Sequence, residues 1–380
     1  MRILIAAGGT GGHIYPALAV VRNLRERRAD AELLWLGGHR GLEAQLVPAA
    51  GIELRRLWLR SLRSVDLSPH AVLDPLRLGA SVSQAAFILA AWRPDAIFTT
   101  GGYASLPVLF AGRALGVPAL LWEGNVVPGR SARVTARLAD AIAVSFEATC
   151  AALGGDDCYV TGTPIRDLGG DRAAARARLE LPPDEPCLLL FGGSQAVRRF
   201  DAALEEALPA LVERCIVLHV TGEPAYAEAL RRRERLPQER RARYRPYPFL
   251  RDEMADALGA ADLVVGRAGS STLAEVTAAG LPMVVVPYPH AAGHQRANAR
   301  QLVEAGAAVL VEDDEFDGAA LLAAAALLVD VERLAAMASA SRSLGRPGAA
   351  AANAELLLAL AERREAPSAA ALERLARGAA

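Results

Sequence analysis

The sequence contains no lysine, so all 42 of its basic residues are arginine. Biased codon usage in a GC-rich genome is the simplest reason for such an absence. Reactions that need a lysine Schiff base, and nucleotide sites that need the lysine of a Walker loop, are therefore excluded. The formal net charge of -1 argues against a dedicated nucleic-acid-binding protein, whose surface would be strongly basic.

Long apolar runs and cysteine motifs are missing as well. The apolar stretches are interrupted well before the ~18 residues that a membrane-spanning helix needs. Residues 1–12 break at glycines after a short apolar run, which predicts a buried strand rather than a signal peptide. The four cysteines, Cys150, Cys158, Cys187 and Cys215, show no CxxC or zinc spacing, which fits a reducing compartment. We therefore expect a soluble or peripheral protein without a metal site.

The length of 380 residues exceeds what one hydrophobic core usually serves, so two domains are expected. Short apolar runs alternate with alanine-rich helical segments along nearly the whole chain. Continuous apolar strands between helices are typical of a parallel sheet covered on both faces, which predicts the α/β class. The predicted strands form two groups, residues 2–6, 32–36, 95–98, 117–121 and 140–144, then 187–191, 215–220, 262–266, 283–287 and 307–311.

Each group of strands opens with a glycine turn, at Gly8-Gly9-Thr10 and at Gly192-Gly193-Ser194. Two similar openings about half a chain apart predict two doubly wound, Rossmann-like domains. The predicted boundaries are 1–163 for the N-terminal domain, 164–346 for the C-terminal domain, and 347–380 for a helix that packs back towards the N-terminal domain and a loosely docked tail.

The first glycine turn continues to His13 and leads into a helical pattern. Glycines between a strand and a helix start let backbone N–H groups approach an anion or a sugar closely. The spacing is neither GxGxxG nor a Walker loop, and no acidic residue is well placed for a ribose after the second strand, which disfavours NAD binding. The helix dipole disfavours an imidazolium at His13, which suits a general base. A histidine that only packs or caps the turn fits the same pattern.

Further glycine-rich turns follow strands of both groups, at residues 101–107, 122–125 and 192–194. Ligands bind at the carboxyl ends of strands in sheets of this kind, so these turns are candidate ligand loops. Any one of them alone is compatible with an ordinary tight turn.

The richest candidate is the run from Arg267 to Glu275. Small hydroxyl residues at a helix start expose N–H groups and offer Oγ atoms, which suits a pyrophosphate. Glu275 lies one turn beyond Ser271 and Thr272, where a carboxylate can accept hydrogen bonds from a ribose diol. The same residues also fit a capping box with no ligand. The amide of Gln295, at the next helix start, suits sugar hydroxyls.

Taken in order, these motifs resemble those of the MurG family, within glycosyltransferase family 28. The motifs are GGTGGH, GGYASLP, GGSQ, RAGSSTLAE, AAGLPMVVVPYPH and QRANA, and the similarity runs from residue 1 to roughly residue 360. The family has the GT-B fold, in which two Rossmann-like domains face a cleft that holds the active site. Its members are inverting hexosyltransferases without a cofactor, and they use no metal bound by an Asp-x-Asp motif. This sequence contains no Asp-x-Asp motif.

The resemblance implies an activity, partners and a location. Members move N-acetylglucosamine (GlcNAc) from UDP-GlcNAc to the C4 hydroxyl of lipid I, the lipid-linked N-acetylmuramoyl pentapeptide, and so form lipid II for peptidoglycan. They are peripheral proteins at the cytoplasmic face of the plasma membrane. The expected partners are therefore UDP-GlcNAc, lipid I, an anionic membrane surface and other cell-wall synthesis proteins, with no nucleic acid.

The resemblance also assigns roles to single residues. His13 becomes the candidate catalytic base, and Glu123 is the next candidate. Tyr103, Ser105 and Glu123 are expected on the side of the site that binds the acceptor. The donor UDP-GlcNAc is expected to contact Thr10, Gly11, Gly12, Asn125, Arg166, Ser194, Leu250, Ser270, Ser271, Thr272, Leu273, Ala274, Glu275 and Gln295.

Within that set, Asn125 and Gln295 are expected at the GlcNAc, Arg166 at the diphosphate and Leu250 beside the uracil. The chain departs from the family pattern in three places, one of which is His294, where glutamine is common. It reads Trp122-Glu123-Gly124-Asn125 where members usually read HEQN, and alanine follows GGSQ where members usually have glycine.

A candidate membrane-facing segment combines arginines with apolar residues, at Arg55, Arg56, Trp58, Arg60 and Arg63. Arginines attract anionic headgroups, while tryptophan and leucine can enter the interface. An ordinary strand and loop with a solvated charged face fits the pattern equally well. The lipid-linked acceptor of the family favours the membrane interpretation.

Three alternatives to the main prediction stay open. One is another GT-B transferase that acts on a glycolipid or natural-product acceptor. A second is UDP-GlcNAc epimerase, which also has two Rossmann-like halves. The third is a non-catalytic nucleotide-sugar-binding protein, against which His13 and the loop at Tyr103 argue.

Overall fold

The computed structural model describes residues 1–39, 41–59, 70–155, 157–192, 197–291 and 293–378. Arg60, Arg63 and Ser194, which the sequence singles out, lie outside this described part. The chain divides into two compact units. Unit 1 comprises Met1–Ile165 and Arg346–Ala380, and unit 2 comprises Arg166–Gly345.

The strands alternate with helices in both units. The strands of unit 1 are β1 (Arg2–Ala6), β2 (Glu32–Gly37), β3 (Glu53–Arg56), β4 (Ala96–Thr99), β5 (Ala119–Glu123), β6 (Ala141–Val144) and β7 (Cys158–Val160). The strands of unit 2 are β8 (Cys187–Phe191), β9 (Ile216–Val220), β10 (Tyr244–Tyr247), β11 (Leu263–Gly266), β12 (Met283–Val285) and β13 (Ala308–Leu310).

The helices are mostly short. Most lie between consecutive strands, and the last ones follow β13. In chain order they are α1 (Gly11–Arg27), α2 (Glu43–Ala49), α3 (His70–Trp92), α4 (Ser105–Leu115), α5 (Arg130–Ala136), α6 (Glu147–Leu153), α7 (Arg172–Arg178), α8 (Arg198–Leu211), α9 (Glu223–Arg235), α10 (Glu253–Ala260), α11 (Ser270–Ala278), α12 (His294–Glu304), α13 (Gly318–Ala326), α14 (Val331–Leu344), α15 (Ala349–Ala361) and α16 (Ala369–Ala376). The first six and the last two belong to unit 1.

Within the described residues, each unit has one parallel sheet. The order is β3-β2-β1-β4-β5-β6-β7 in unit 1 and β10-β9-β8-β11-β12-β13 in unit 2. The direction of strand order reverses between β1 and β4 in the first sheet, and between β8 and β11 in the second. Loops that leave the carboxyl ends of such a pair diverge to opposite faces of the sheet and open a crevice for a ligand.

Both sheets are covered on both faces, as their continuous apolar strands require. In β1, Ile3 and Ile5 pack on the side of α1 and α15, whereas Leu4 packs on the side of α3 and α4. In β8, Leu189 faces α10 and α11, whereas Leu188 and Leu190 face α8 and α13. The predicted α/β class, with two doubly wound Rossmann-like domains, is confirmed.

The end of the chain is more ordered than the sequence suggests. Helix α15 contributes Leu356 and Leu357 to the core of unit 1. The expected loosely docked tail instead forms α16, whose Leu372 is buried. Ser368 caps this helix by accepting a hydrogen bond from the backbone N–H of Ala371 at 3.3 Å. A capped amphipathic helix buries apolar surface that a frayed tail would expose.

The cysteines also differ from expectation. Cys150 in α6 and Cys158 at the start of β7 form a disulfide. Their spacing in the sequence matches no disulfide or metal motif, and the β6-α6-β7 connection brings them together. Cys187 and Cys215 are free thiols in the core of unit 2. Burial raises the pKa of each of these two thiols to about 12.

Candidate active site

The loop between β1 and α1 places His13 in the first turn of a helix. Thr10 is the N-cap of α1, but its side chain makes no capping hydrogen bond. Gly9 has φ +97°, a conformation that glycine adopts without strain. The chain therefore turns sharply after β1 and starts α1 at Gly11, with its side-chain-free residues at the helix start.

His13 is fixed to the neighbouring strand end by two hydrogen bonds. Its Nδ1 lies 2.6 Å from the carbonyl oxygen of Thr100, and the hydroxyl of Thr100 donates to the carbonyl oxygen of His13 at 2.8 Å. A carbonyl oxygen can only accept, so Nδ1 carries a proton. In the neutral imidazole, Nε2 then has the lone pair and can accept a proton from a substrate.

The loop after β4 approaches the His13 ring closely because it contains two glycines. Gly101 and Gly102 have φ +83° and +85°. A Cβ at Gly101 would lie 3.6 Å from the His13 ring, and one at Gly102 would lie 3.0 Å from the carbonyl oxygen of Gly8. The two loops that meet here leave β1 and β4, the strands between which the order reverses.

Tyr103 lies in the same loop and is bound by a residue that the sequence did not point to. Its hydroxyl donates a hydrogen bond of 2.6 Å to the buried carboxylate of Glu43. Burial and, secondly, this hydrogen bond raise the pKa of Tyr103. Glu43 follows a loop and begins a short helix, a position typical of a surface residue, so no local signal marks it.

Ser105, predicted on the acceptor side, lies at the start of α4. It is fully buried, and its hydroxyl lies 2.5 Å from the hydroxyl of Thr99 at the end of β4. Because α4 starts at Ser105 and packs directly against the sheet, the side chain points into the fold. Its hydroxyl therefore links the start of α4 to the end of β4, and its place on the acceptor side stays a prediction.

Glu123 and Asn125 lie together at the end of β5. One oxygen of the Glu123 carboxylate accepts from both the backbone N–H and the side-chain amide of Asn125, each at 2.9 Å. The hydroxyl of Thr149 in α6 donates to the carbonyl oxygen of Asn125 at 2.9 Å. The carboxylate thus orients the amide of Asn125.

In unit 2 the run from Ser270 to Glu275 forms the beginning of α11. The N-cap is Gly269, which has no side chain, and Ser270 is the first helical residue. Glu275 lies in the sixth helical position, too far along for the reciprocal contact of a capping box. The capping-box alternative is therefore wrong, and the first N–H groups of α11 have no capping side chain.

The side chain of Ser271, at the start of α11, also lacks a partner. Its Oγ is buried and, among the described residues, has no hydrogen-bond partner. Buried hydroxyls in folded proteins normally have a partner. A hydroxyl without one beside the first N–H groups of a helix fits the oxygen of a bound anion.

Glu275 and Arg166, both predicted to contact the donor, contact each other. Arg166 Nε lies 2.8 Å from Glu275 Oε1, and a second nitrogen of Arg166 donates to the carbonyl oxygen of Arg251. Burial raises the pKa of Glu275, and the charge and hydrogen bond of Arg166 counteract that shift. The ion pair brings Arg166 to the carboxylate rather than to the start of α11.

The contacts of Gln295 and Leu250 within unit 2 limit which of their atoms can contact a ligand. The side-chain oxygen of Gln295 accepts from the N–H groups of Ala268, at 3.2 Å, and Tyr288, at 2.9 Å. Its amide nitrogen is the atom that can still donate to a sugar. The side chain of Leu250 is buried in the core of unit 2, so only its backbone can contact a ligand.

Arg267 is a further residue of this loop whose role the sequence did not reveal. It is buried, and its Nη1 lies 2.6 Å from Asp313 Oδ1. Its guanidinium lies 5.0 Å from the ring centroid of Phe200 and 5.5 Å from that of Tyr288. These cation–π contacts, together with the ion pair to Asp313, hold the loop after β11. An arginine directly after a buried strand is the only signal in the sequence.

Models of known protein families match residues in both units. The model of the glycosyltransferase family 28 N-terminal domain matches residues 3–144, and the model of its C-terminal domain matches residues 187–353. The chain belongs to glycosyltransferase family 28.

Curated relatives place the chain near one branch of family 28. A protein of Moorella thermoacetica is 41% identical over 95% of this chain and 100% of its own length, and one of Desulforudis audaxviator is 41% identical over 92% and 95%. Both are named UDP-N-acetylglucosamine--N-acetylmuramyl-(pentapeptide) pyrophosphoryl-undecaprenol N-acetylglucosamine transferase. The resemblance to the MurG family that the motifs indicate is confirmed.

Solved structures agree with the family 28 assignment. The crystal structure of Acinetobacter baumannii MurG superposes with a TM-score of 0.73, at 26% identity over 94% of this chain and 99% of that chain. A UDP-N-acetylglucosamine 2-epimerase of Listeria monocytogenes gives a TM-score of 0.65 at 17% identity, covering 97% and 98%. The latter likeness shows a shared fold alone.

The candidate membrane-facing segment of this family 28 member lies at the edge of the first sheet. Arg55 and Arg56 end strand β3, and Trp58 follows with 70% of its surface exposed. Gln84 of α3 accepts from the N–H of Trp58 and donates to the carbonyl oxygen of Arg56, each at 3.0 Å. Phe87, one turn further along α3, is 76% exposed. Two aromatic side chains thus lie exposed near the end of β3.

Proposed function

We propose that this protein transfers GlcNAc from UDP-GlcNAc to the C4 hydroxyl of undecaprenyl-pyrophosphoryl-MurNAc-pentapeptide (lipid I), which yields lipid II and UDP. The observation that carries the proposal is His13, held through Nδ1 by the carbonyl of Thr100 where β1 and β4 meet. It occurs in a chain 41% identical over 95% of its length to a relative named for this transfer.

His13 acts as the general base. The acceptor O4 attacks the anomeric carbon of GlcNAc, the bond from that carbon to the diphosphate oxygen breaks, and the configuration inverts. The hydroxyl proton passes to Nε2 of His13. The carbonyl of Thr100 keeps the ring in the tautomer that leaves Nε2 ready to accept, and it stabilises the imidazolium that forms.

The donor nucleotide binds at the beginning of α11. The uncapped N–H groups of this helix and the Oγ of Ser271 bind the diphosphate and stabilise the charge that grows on it as UDP leaves. Glu275 accepts hydrogen bonds from the ribose diol. Arg166 favours the charged form of Glu275, and the backbone at Leu250 contacts the uracil.

The sugar of the donor takes further contacts. The amide nitrogen of Gln295 donates to hydroxyls of GlcNAc. In unit 1, Thr10, Gly11 and Gly12 offer backbone N–H groups at the start of α1, and the carboxylate of Glu123 orients the amide of Asn125.

The enzyme works as a peripheral protein on an anionic membrane surface, where its lipid-linked acceptor resides. Trp58 and Phe87 are large, exposed and apolar, and Arg56 lies beside them. Aromatic rings can enter the interface while arginines attract anionic headgroups. No helix of the described residues is long and apolar enough to cross a membrane.

A transfer assay tests the function directly. The protein is incubated with UDP-GlcNAc that is radiolabelled in the sugar and with a short-chain lipid I analogue, and the products are separated. The proposal predicts a labelled disaccharide lipid and stoichiometric UDP. Label that appears instead in another acceptor supports a different GT-B transferase.

A parallel incubation without acceptor separates the epimerase alternative. An epimerase converts the nucleotide sugar itself, whereas the proposed transferase leaves it unchanged until the acceptor is added.

A further inference from the structure

A buried carboxylate lies beside the proposed catalytic loop and has no part in the mechanism above. Glu43, the first residue of α2, is 0% exposed. Its Oε2 accepts from the N–H of Gly9 at 3.0 Å. Its Oε1 accepts from the hydroxyl of Tyr103 at 2.6 Å and from the N–H of Gly38 at 3.2 Å. One side chain therefore connects the loops that follow β1, β2 and β4.

Burying a carboxylate is costly unless hydrogen bonds replace its hydration, and these three donors do so. Glycines make the room for it. A Cβ at Gly41 would lie 2.1 Å from Oε2, and one at Gly8 would lie 2.9 Å from Oε1. A Cβ at Gly38 would lie 2.2 Å from the hydroxyl of Tyr103. The surrounding loops are thus shaped around the carboxylate and the phenol.

The same two loops are joined a second time by His13. The ring of His13 connects the β1-α1 loop to Thr100 in the β4-α4 loop, and Glu43 connects Gly9 to Tyr103 in those same loops. Without Glu43, the contacts between His13 and Thr100 would have to hold these two segments in register.

We propose that Glu43 is a positioning residue for the transfer reaction, because it fixes the glycine loop before His13 and the phenol of Tyr103 in one arrangement. This inference rests on the proposed transferase function. Catalytic groups misplaced by even a fraction of an ångström lose much of their effect, so Glu43 acts on turnover through His13 and Tyr103.

The first test replaces Glu43 by a near-isosteric amide. In Glu43→Gln an NH₂ group must oppose at least one of the N–H or O–H donors that the carboxylate accepts. We expect kcat to fall by about tenfold or more, with the Kd for UDP-GlcNAc in calorimetry within about threefold of wild type. Glu26→Gln, an exposed carboxylate on α1, is the matched control and keeps wild-type kcat.

Two readouts separate positioning from a general loss of folding. In the double variant Glu43→Gln/Tyr103→Phe, kcat should be no lower than in Glu43→Gln alone, because the phenol and the carboxylate hold the loops as one hydrogen-bonded unit. Hydrogen exchange should become faster in a peptide covering residues 7–13 and stay unchanged in one covering 263–276 of unit 2. Multiplied effects in the double variant would overturn the proposal.

A second variant removes no polar group but moves the carboxylate of Glu43. In Gly41→Ala the added Cβ displaces the carboxylate, so kcat should fall as in Glu43→Gln. Gly51→Ala is its control, because Gly51 also has a positive φ, +65°, yet nothing lies within 4 Å of its Cβ position. If Gly41→Ala and Gly51→Ala have equal kcat, the inference is wrong while the transferase function stands. Absence of transfer by the wild-type protein would instead contradict the function itself.

Discussion

The guanidinium of Arg166 lies 2.8 Å, through Nε, from the carboxylate of Glu275 in the sixth position of α11. Burial raises the pKa of Glu275, and Arg166 counteracts the shift by its charge and hydrogen bond. A carboxylate must be ionised to accept two hydrogen bonds from a ribose diol. In the proposed donor site, Arg166 therefore acts by favouring the charged form of Glu275.

Replacing Arg166 by glutamine should shift the pH dependence of donor binding. The pKa of Glu275 is already raised, and losing the cation raises it further, so UDP-GlcNAc binding should weaken on acidification at a higher pH than in wild type. Calorimetric Kd values measured across the acidic range test this. Weakening by the same factor at every pH would mean that Arg166 contributes only a direct contact with the ligand.

Removing the carboxylate of Glu275 should affect the donor far more than the acceptor. Loss of a charge-assisted hydrogen bond costs about 1.5–3 kcal/mol, or roughly ten- to hundredfold in affinity. We expect Glu275→Ala to raise the KM and Kd for UDP-GlcNAc on that scale and to leave the acceptor KM nearly unchanged. Glu304→Ala, on the exposed end of α12, is the control. Unchanged donor affinity would show that Glu275 serves only to balance Arg166.

The fold could be predicted where local sequence decides it. Runs such as residues 2–6 and 187–191 are buried on both faces, so their apolar character alone marks them as central strands. Strands β3, β7 and β10 were not predicted. All three are edge strands: β3 and β10 contain arginines, β10 also contains Pro246, and β7 has only three residues. Edge strands need less apolar surface and tolerate proline.

The loops that form the candidate site could be predicted from the sequence, but the contacts between their side chains could not. The glycine turns and the open start of α11 carry local signals, and His13 follows one of them. The contacts of Glu43 and the pairing of Arg166 with Glu275 join residues far apart in sequence, at 60 and 109 positions of separation. No local pattern reports such pairs. For the same reason, the burial of Ser105 by α4 cannot be read from its motif.

His219 should make unit 2 sensitive to acid. Burial, and secondly the charge of Arg232, lowers the pKa of His219 to about 3, against about 6.5 in an unfolded chain. Its ring contacts the hydroxyl of Tyr244 at 3.0 Å and faces Asp201 at 3.9 Å. Below about pH 6.5 the unfolded state binds a proton that the folded state does not, so stability falls by about 1.4 kcal/mol per pH unit until about pH 3.

We expect His219→Asn to lose this part of the acid dependence, since asparagine keeps a polar contact near Tyr244 but does not titrate. Thermal unfolding of wild type and variant at pH 7 and pH 5 measures the difference. His39→Asn, an exposed histidine, should retain the wild-type slope. If His219→Asn changes stability equally at both pH values, His219 binds its proton alike in the folded and unfolded states, and the prediction is wrong.

Membrane binding should depend on the exposed aromatic pair of unit 1. Burying one large apolar side chain contributes about 1.5–3 kcal/mol, so Trp58→Ser/Phe87→Ser should weaken binding to anionic vesicles more than tenfold. Turnover of a water-soluble acceptor analogue should barely change. Val329→Ser/Val331→Ser is the control, because these valines are 76% and 73% exposed but lie in unit 2. Undiminished co-sedimentation of the aromatic variant would place the docking surface elsewhere.

His13 is the residue on which the proposed chemistry depends. Its Nδ1 proton is held by the carbonyl of Thr100 at 2.6 Å, so Nε2 is the only ring atom that can remove the acceptor proton. Loss of a general base commonly lowers the rate by ~10²–10⁴-fold. We expect His13→Ala to lower kcat on that scale, with UDP-GlcNAc affinity and thermal stability close to wild type. His39→Ala is the control for loss of an imidazole outside the loop.

The pH–rate profile distinguishes a base from a residue that only positions the acceptor. A base must be unprotonated to act, so wild-type kcat should decline on the acidic side, and this decline should be absent in His13→Ala. A positioning role predicts a lower kcat with the acidic decline retained, because the titrating group would then be another one. In that case Glu123 is the next candidate, since its carboxylate already orients the amide of Asn125 at 2.9 Å. Glu123→Gln would then remove the acidic decline, whereas His13→Ala would not.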